Sequence, residues 1–153
     1  MDECSSLPGL EVHLGYWLRH VSNHVSGSFA TALQARHYTV AEWVALRQLY
    51  DHPTIASSAL AELLGMTRGA ISKVLDKLEA KGVIERVTRP EDKRSQRLVL
   101  TPEGRRILPE LAMLADMNDA CYFDCLEARE RTQLRNLLQK LARIHQWTDI
   151  PVD

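Results

Sequence analysis

The side chains best suited to chemistry in this 153-residue chain are cations. Arg68, Lys73 and Lys77 fall outside the apolar stripe Ile71, Val74, Leu75 and Leu78, and the stretch RPEDKRSQR (89–97) adds Arg89, Lys93, Arg94 and Arg97. Ammonium groups bind anions as point charges, and guanidinium groups bind them bidentately. From Thr67 to Arg106 there are 11 Lys/Arg against 6 Asp/Glu, a local balance of +5 in a chain whose net charge is −1. The remainder carries 8 and 14, or −6. A basic segment within an acidic chain gives one face that attracts an anionic polymer.

Other chemistries are weaker. His20 and His24, spaced i, i+4, suit a metal on one helix face, but no third ligand is evident, and an interface pair explains them as well. The cysteines Cys4, Cys121 and Cys125 are a sparse, odd set, which fits a reducing cytoplasm better than a disulfide framework. No Gly-rich phosphate loop, metal cluster or nucleophile elbow is present, so neither enzymatic activity nor a cofactor is expected. No run of 18 apolar residues exists, so no membrane association is expected. The acidic opening MDECSSLPG argues against a secretory signal, and a cytoplasmic location is expected.

These groups need elements to hold them. Apolar residues at Leu10, Leu14, Trp17, Val21, Val25, Phe29 and Leu33 predict a long first helix to about Ala35. Thr39-Val-Ala-Glu42 is a capping-box pattern and opens a second, which ends near Asp51-His52-Pro53. Ser57 or Ser58 is expected to cap a short third, closed by Gly65. Thr67 caps a fourth, stopped at Lys81-Gly82. The period then changes to two: residues 83–89 and 96–101 read as strands joined by Pro90 to Ser95. Thr101-Pro102 starts a fifth helix, and a break near Leu126-Glu127 precedes a sixth.

The segment SSALAELLGMTRGAISKVLDKLEAKG (57–82) has the pattern of a helix-turn-helix. Ala61 allows close backbone approach, Gly65 fits the turn, and Leu60, Leu64, Met66, Ile71, Val74 and Leu75 lock the pair. The outward face of its second helix is then Arg68, Gly69, Ser72, Lys73, Asp76 and Lys77. The first turn of such a helix enters a major groove. Thr67 and Ser72 suit phosphate oxygens at the positive end of the helix dipole. Arg68 suits a guanine edge, Lys73 a base or a phosphate, and Gly69 close backbone approach. The plainer alternative is a solvated face on which Lys73, Lys77 and Lys81 pair with Asp76 and Glu79.

The order of elements resembles the multiple-antibiotic-resistance-regulator (MarR) family of winged-helix regulators over residues 10–147. The sharpest motif is PEDKRSQRLVLTPEG (90–104): Asp92, Arg94, Leu100, Thr101 and Gly104 match the family's Asp-x-Arg turn and Leu-Thr-x-x-Gly. LEAKGVIER (78–86) matches the exit of the recognition helix into the first wing strand.

The resemblance implies a mainly α (α+β) fold, a winged helix-turn-helix DNA-binding lobe with a helical dimerisation arm. The expected divisions are a flexible leader (1–9), a dimerisation helix (10–36), the DNA-binding lobe (37–101), further dimerisation helices (102–147) and a tail (148–153). It implies a homodimer, probing a pseudo-palindromic double-stranded DNA operator as a repressor. Arg94 would reach the minor groove, Asp92 would orient it, and Arg86, Arg89, Lys93 and Arg97 would add phosphate contacts. The family also implies release by a small aromatic or phenolic effector. His13, Tyr16, Trp17, His20, Trp43, Arg47 and Tyr50 are the candidates to hold it by stacking and charge pairing, although Trp17 and Trp43 equally suit core filling. Competing readings are a redox-sensing regulator using Cys4, Cys121 or Cys125, the last two placed by helical spacing on a packed stripe, and a winged-helix module that binds protein.

Overall fold

The computed structural model describes residues 6–89 and 91–153, with Arg89 and residues 92–95 described in their backbone alone. A 3-10 turn at Leu10–Val12 precedes α1 (Leu14–Gln34), α2 (Val40–Asp51), α3 (Ser57–Leu63) and α4 (Arg68–Ala80). The antiparallel hairpin β1 (Ile84–Arg89) and β2 (Asp92–Leu100) follows, then α5 (Pro102–Phe123) and α6 (Ala128–Ile144). No helix is long and apolar enough to cross a membrane among the described residues.

The core lies where α2, α3 and α4 meet the hairpin and the start of α5. Leu33, Leu46, Leu60, Leu75, Leu78, Ile84, Leu98 and Leu111 are fully buried there. Two left-handed glycines shape it: Gly65 (φ +59°) in the α3–α4 turn and Gly82 (φ +72°) after α4. The Leu-Thr-x-x-Gly motif has a local cause. The Thr101 hydroxyl donates to Gly82 O (2.6 Å) and accepts from Gly104 N (3.1 Å), capping α5 while tying it to the end of α4. A Cβ on Gly104 would collide with the Val83 carbonyl oxygen.

A buried ion pair fixes the far end of α4. Glu42, 1% exposed, closes the capping box with Thr39 N (3.0 Å) and accepts from Lys81 Nζ (2.8 Å). Lys81 also donates to His37 O and lies 4.3 Å over the Tyr38 ring. Burial, and next the Glu42 carboxylate, push the Tyr38 hydroxyl above its usual value.

Several expectations need correction. The first helix is broken at His13, which has extended backbone and separates the 3-10 turn from α1. Neither Ser57 nor Ser58 caps α3: the N-cap is Ala56, without a side-chain bond. Ala56 is extended because it bridges Arg97, and Leu98 N donates to Ile55 O (2.9 Å), so β2 gains a single antiparallel bridge to the segment before α3. The connection of the hairpin is shorter than Pro90 to Ser95, since β2 begins at Asp92, with Arg89 opposite it after a register irregularity. Backbone pairing continues through polar residues because it needs no apolar side chain at a solvated tip. Cys125 falls just past α5, and both Cys121 and Cys125 are exposed in the single chain rather than packed.

Candidate nucleic-acid interface

α4 starts at the Gly65-Met66 turn, where Met66 N donates to Ala61 O (2.9 Å). The Thr67 hydroxyl then accepts from Ala70 N (3.1 Å) and caps the helix. Ile71, Leu75 and Leu78 face the core, which turns Arg68, Gly69, Ser72, Lys73, Asp76 and Lys77 outward, as the helical period predicts. The first turn of α4 therefore offers free backbone N–H groups, a hydroxyl and a guanidinium to one approaching anion. A Cβ on Gly69 would meet nothing within 4 Å, so the chain's own packing does not require glycine there.

The acids on this helix are already engaged. Arg86 donates to Asp76 Oδ1 (2.7 Å), and its Nε lies 3.6 Å from Glu79 Oε2, a Coulombic contact too long for a hydrogen bond. Register explains this: Arg86 stands opposite Leu98, on the sheet face turned towards α4, and its side chain is only 20% exposed. Arg86, a candidate for phosphate, joins wing to helix in the free chain. Lys81 is likewise turned to Glu42. Asp76, Glu79 and Lys81 thus have partners other than Lys73 and Lys77, and among the described residues Arg68, Lys73 and Lys77 form no ion pair. Arg97 points to Thr54 O (3.5 Å). The side chains of Arg89, Asp92, Lys93 and Arg94 lie outside the described residues; their backbone belongs to the β1–β2 hairpin that follows α4.

The effector candidates form two groups rather than one. His13 is the N-cap of α1. Tyr16, Trp17, His20 and His24 make a ladder along the same helix: Tyr16 and Trp17 are 5.1 Å apart edge-on, Tyr16 and His20 6.0 Å and parallel, His20 and His24 5.1 Å. Trp17 donates its indole N–H to Glu11 O (2.8 Å) and is 49% exposed, so it does not fill the chain's own core. Trp43, Arg47 and Tyr50 belong to α2. Trp43 packs against the core and edge-on to Phe29 (6.4 Å), which fixes α2 beside the other half of α1. Phe29 is twelve residues beyond Trp17, roughly 18 Å along the axis at ~1.5 Å per residue. Arg47 is paired with Asp51 (2.6 Å) and lies 5.3 Å over Tyr50. Among the described residues no group of three metal-ligating side chains occurs, and His20 and His24 stay a pair. Cys4 lies outside the described residues.

Sequence reasoning missed the Arg86–Asp76–Glu79 link and the Lys81–Glu42 anchor. Period two in β1 and the capping box at Thr39 were the available signals, but neither names a partner far along the chain.

An outward basic helix entered from a tight turn, beside a two-stranded wing, defines a winged helix-turn-helix protein. Residues 38–96 match the MarR family. The chain is 34% identical over 137 residues to a protein described as the transcriptional regulator for the hcr operon of Thauera aromatica, covering 85% of this chain and 79% of that one. It is 30% identical over 128 residues to an HTH-type transcriptional repressor of Mycobacterium tuberculosis, covering 84% and 92%. The structure of CouR from Rhodococcus jostii RHA1 bound to p-coumaroyl-CoA superposes with a TM-score of 0.75 at 25% identity, over 89% of this chain and 96% of that one. The chain belongs to the MarR family of DNA-binding transcriptional regulators.

Proposed function

We propose that this protein is a homodimeric repressor that reads a pseudo-palindromic DNA duplex and is released by a small aromatic effector. The observation that carries the DNA reading is the distribution of charge on α4. Its acids are held by Arg86, so Arg68, Lys73 and Lys77 face outward with positive charge to spend on an anion. Arg68, with Thr67, Gly69 and Ser72, meets the major groove and its phosphates, while Lys73 and Lys77 follow the backbone. Arg94, oriented by Asp92, takes the minor groove, with Arg89 and Lys93 on flanking phosphates. Arg86 is the brace between wing and reading helix.

Dimerisation is supported by apolar surface that the single chain leaves open. Leu14, Trp17, Leu18 and Val21 on α1, Met113 and Met117 on α5, and Leu137, Leu138, Leu141 and Ile144 on α6 are all exposed. Surface of that extent belongs to an interface, and a twofold pairing would present two α4 helices to one face of a duplex. Repression is supported by the M. tuberculosis relative, and an aromatic effector by the coumaroyl thioester held by the R. jostii protein. For that effector Trp43, Arg47 and Tyr50 are the better candidates, with Arg47 exchanging Asp51 for the ligand's carboxylate. The Tyr16–His24 ladder, with His13 at its start, fits the subunit contact better.

An electrophoretic mobility shift on the DNA flanking its own gene tests the reading. A salt-sensitive shift, reversed by an aromatic acid or its thioester, is expected. No shift at low salt would remove the DNA reading, and a shift indifferent to every such compound would remove the effector.

A further inference from the structure

The segment after α6 returns to the helix-turn-helix. α6 ends in a Schellman motif: Gln146 is left-handed (φ 57°), Trp147 N donates to Ala142 O (3.0 Å) and Gln146 N to Arg143 O (3.2 Å). His145 and Trp147 stack at 4.9 Å across this turn. The chain then crosses to α3, where Ile150 N donates to Leu63 O (3.0 Å). Leu63 is the last residue of α3. Its three predecessors' carbonyls are met within the turn itself: Leu60 O by Leu64 N, Ala61 O by Met66 N and Glu62 O by Gly65 N. The fourth orphan carbonyl of the helix end is thus satisfied from a residue nearly ninety positions away. Ile150 and Val152 pack their side chains against the core, and a Cβ placed on Gly65 would stand 3.2 Å from Asp149 Cβ. Gly65 therefore serves the left-handed turn and the close passage of this segment together.

We infer that Trp147–Val152 is a strap that fixes the α3–α4 turn to the end of α6, with Ile150 as its positioning residue. This rests on the reading of α4 as the DNA-contacting helix of a homodimer. Ile150 is five steps along the chain from His145, a reach of at most about 18 Å fully extended, so α6 cannot move far from its own reading helix without releasing the contact. Since α6 carries much of the exposed apolar face, the strap sets the distance and rotation between the two α4 helices of the dimer. Half-site spacing is where that shows, because one base pair rotates a half-site by roughly 35° about the duplex axis.

The test compares the full chain with its Ile150→Ser variant on the best duplex selected by the wild type from a random pool, and on versions with one base pair added to or removed from the centre. The wild type is expected to bind the altered spacings at least tenfold more weakly. Ile150→Ser is expected to fall within about threefold across all spacings, with circular dichroism and dimer mass unchanged. Spacing discrimination equal to the wild type's, or a uniform loss at every spacing, would overturn the strap. Amide exchange on the wild type judges the contact independently of DNA and of the variant's folding. The Ile150 amide should be protected like those of α3, and exchange at the rate of an open chain would overturn it. A wild type that selects no duplex defeats the proposed function, while the exchange result still decides whether the segment is anchored.

Discussion

At the scale of single residues, the distinction that matters is between cations the fold has used and cations it has left. Arg86 and Lys81 have internal partners, while Arg68, Lys73 and Lys77 face outward on α4. Composition cannot make that division, because all five look alike in a charge count. Arg68→Ala is expected to cost about 1–3 kcal/mol of DNA affinity and to relax preference at one base position, measured by titrating a panel of single-base variants. A loss equal on every sequence would make Arg68 a phosphate contact. Gly69→Ala separates folding from reading more cleanly. With open space around the new methyl group, helix propensity should raise stability by up to about 1 kcal/mol. Duplex affinity should nevertheless fall at least several-fold if the DNA backbone or a base edge sits against this position; calorimetric melting and anisotropy titration of the same sample read the two effects.

At the scale of elements, α4 is held at both ends by different physics: a tight turn and Thr67 cap at its start, a buried ion pair at its finish. Lys81→Met leaves Glu42 buried with its capping bonds but no counter-charge. The expected loss is about 2–3 kcal/mol in urea unfolding, below the range for a fully enclosed pair because Lys81 is 29% exposed. The double variant with Glu42→Leu should recover part of that loss, and no recovery would mean the pair is not the cause. Much at this scale was legible in the sequence. Thr39 with Glu42, Thr67, Gly82 and Thr101-Pro102 mark helix ends through bonds between near neighbours, and the structure places each of them so. Where an end depends on a distant partner, local pattern misled. Ala56 is extended because Arg97 lies beside it, and two serines following it look like caps only when that strand is unknown. The hairpin connection is shorter than the side-chain pattern suggests for a related reason, since polar residues pair by backbone as readily as apolar ones. The effector candidates share residue type, aromatic and arginine, and type carries no distance; α1 is long enough to keep Trp17 well away from Trp43.

At the scale of the whole molecule, the chain is a folded reading lobe joined to helices whose apolar faces it cannot cover alone. No residue of α6 is buried, although Leu134, Leu137, Leu138, Leu141 and Ile144 line it. That imbalance makes a second copy part of the account of DNA recognition. In the proposed homodimer two α4 helices related by a twofold axis would read two half-sites, and the acidic remainder of the protein would keep the basic face the one that approaches DNA. The central claim is therefore about symmetry as much as about charge, and selection of duplexes from a random-sequence pool by the full-length protein tests both together. The recovered sequences should carry an inverted repeat with half-site centres roughly 10 base pairs apart. Affinity for them should fall steeply as salt rises, with a log–log slope reporting several displaced counterions. A pool without an inverted repeat, or an affinity indifferent to salt, would contradict the account.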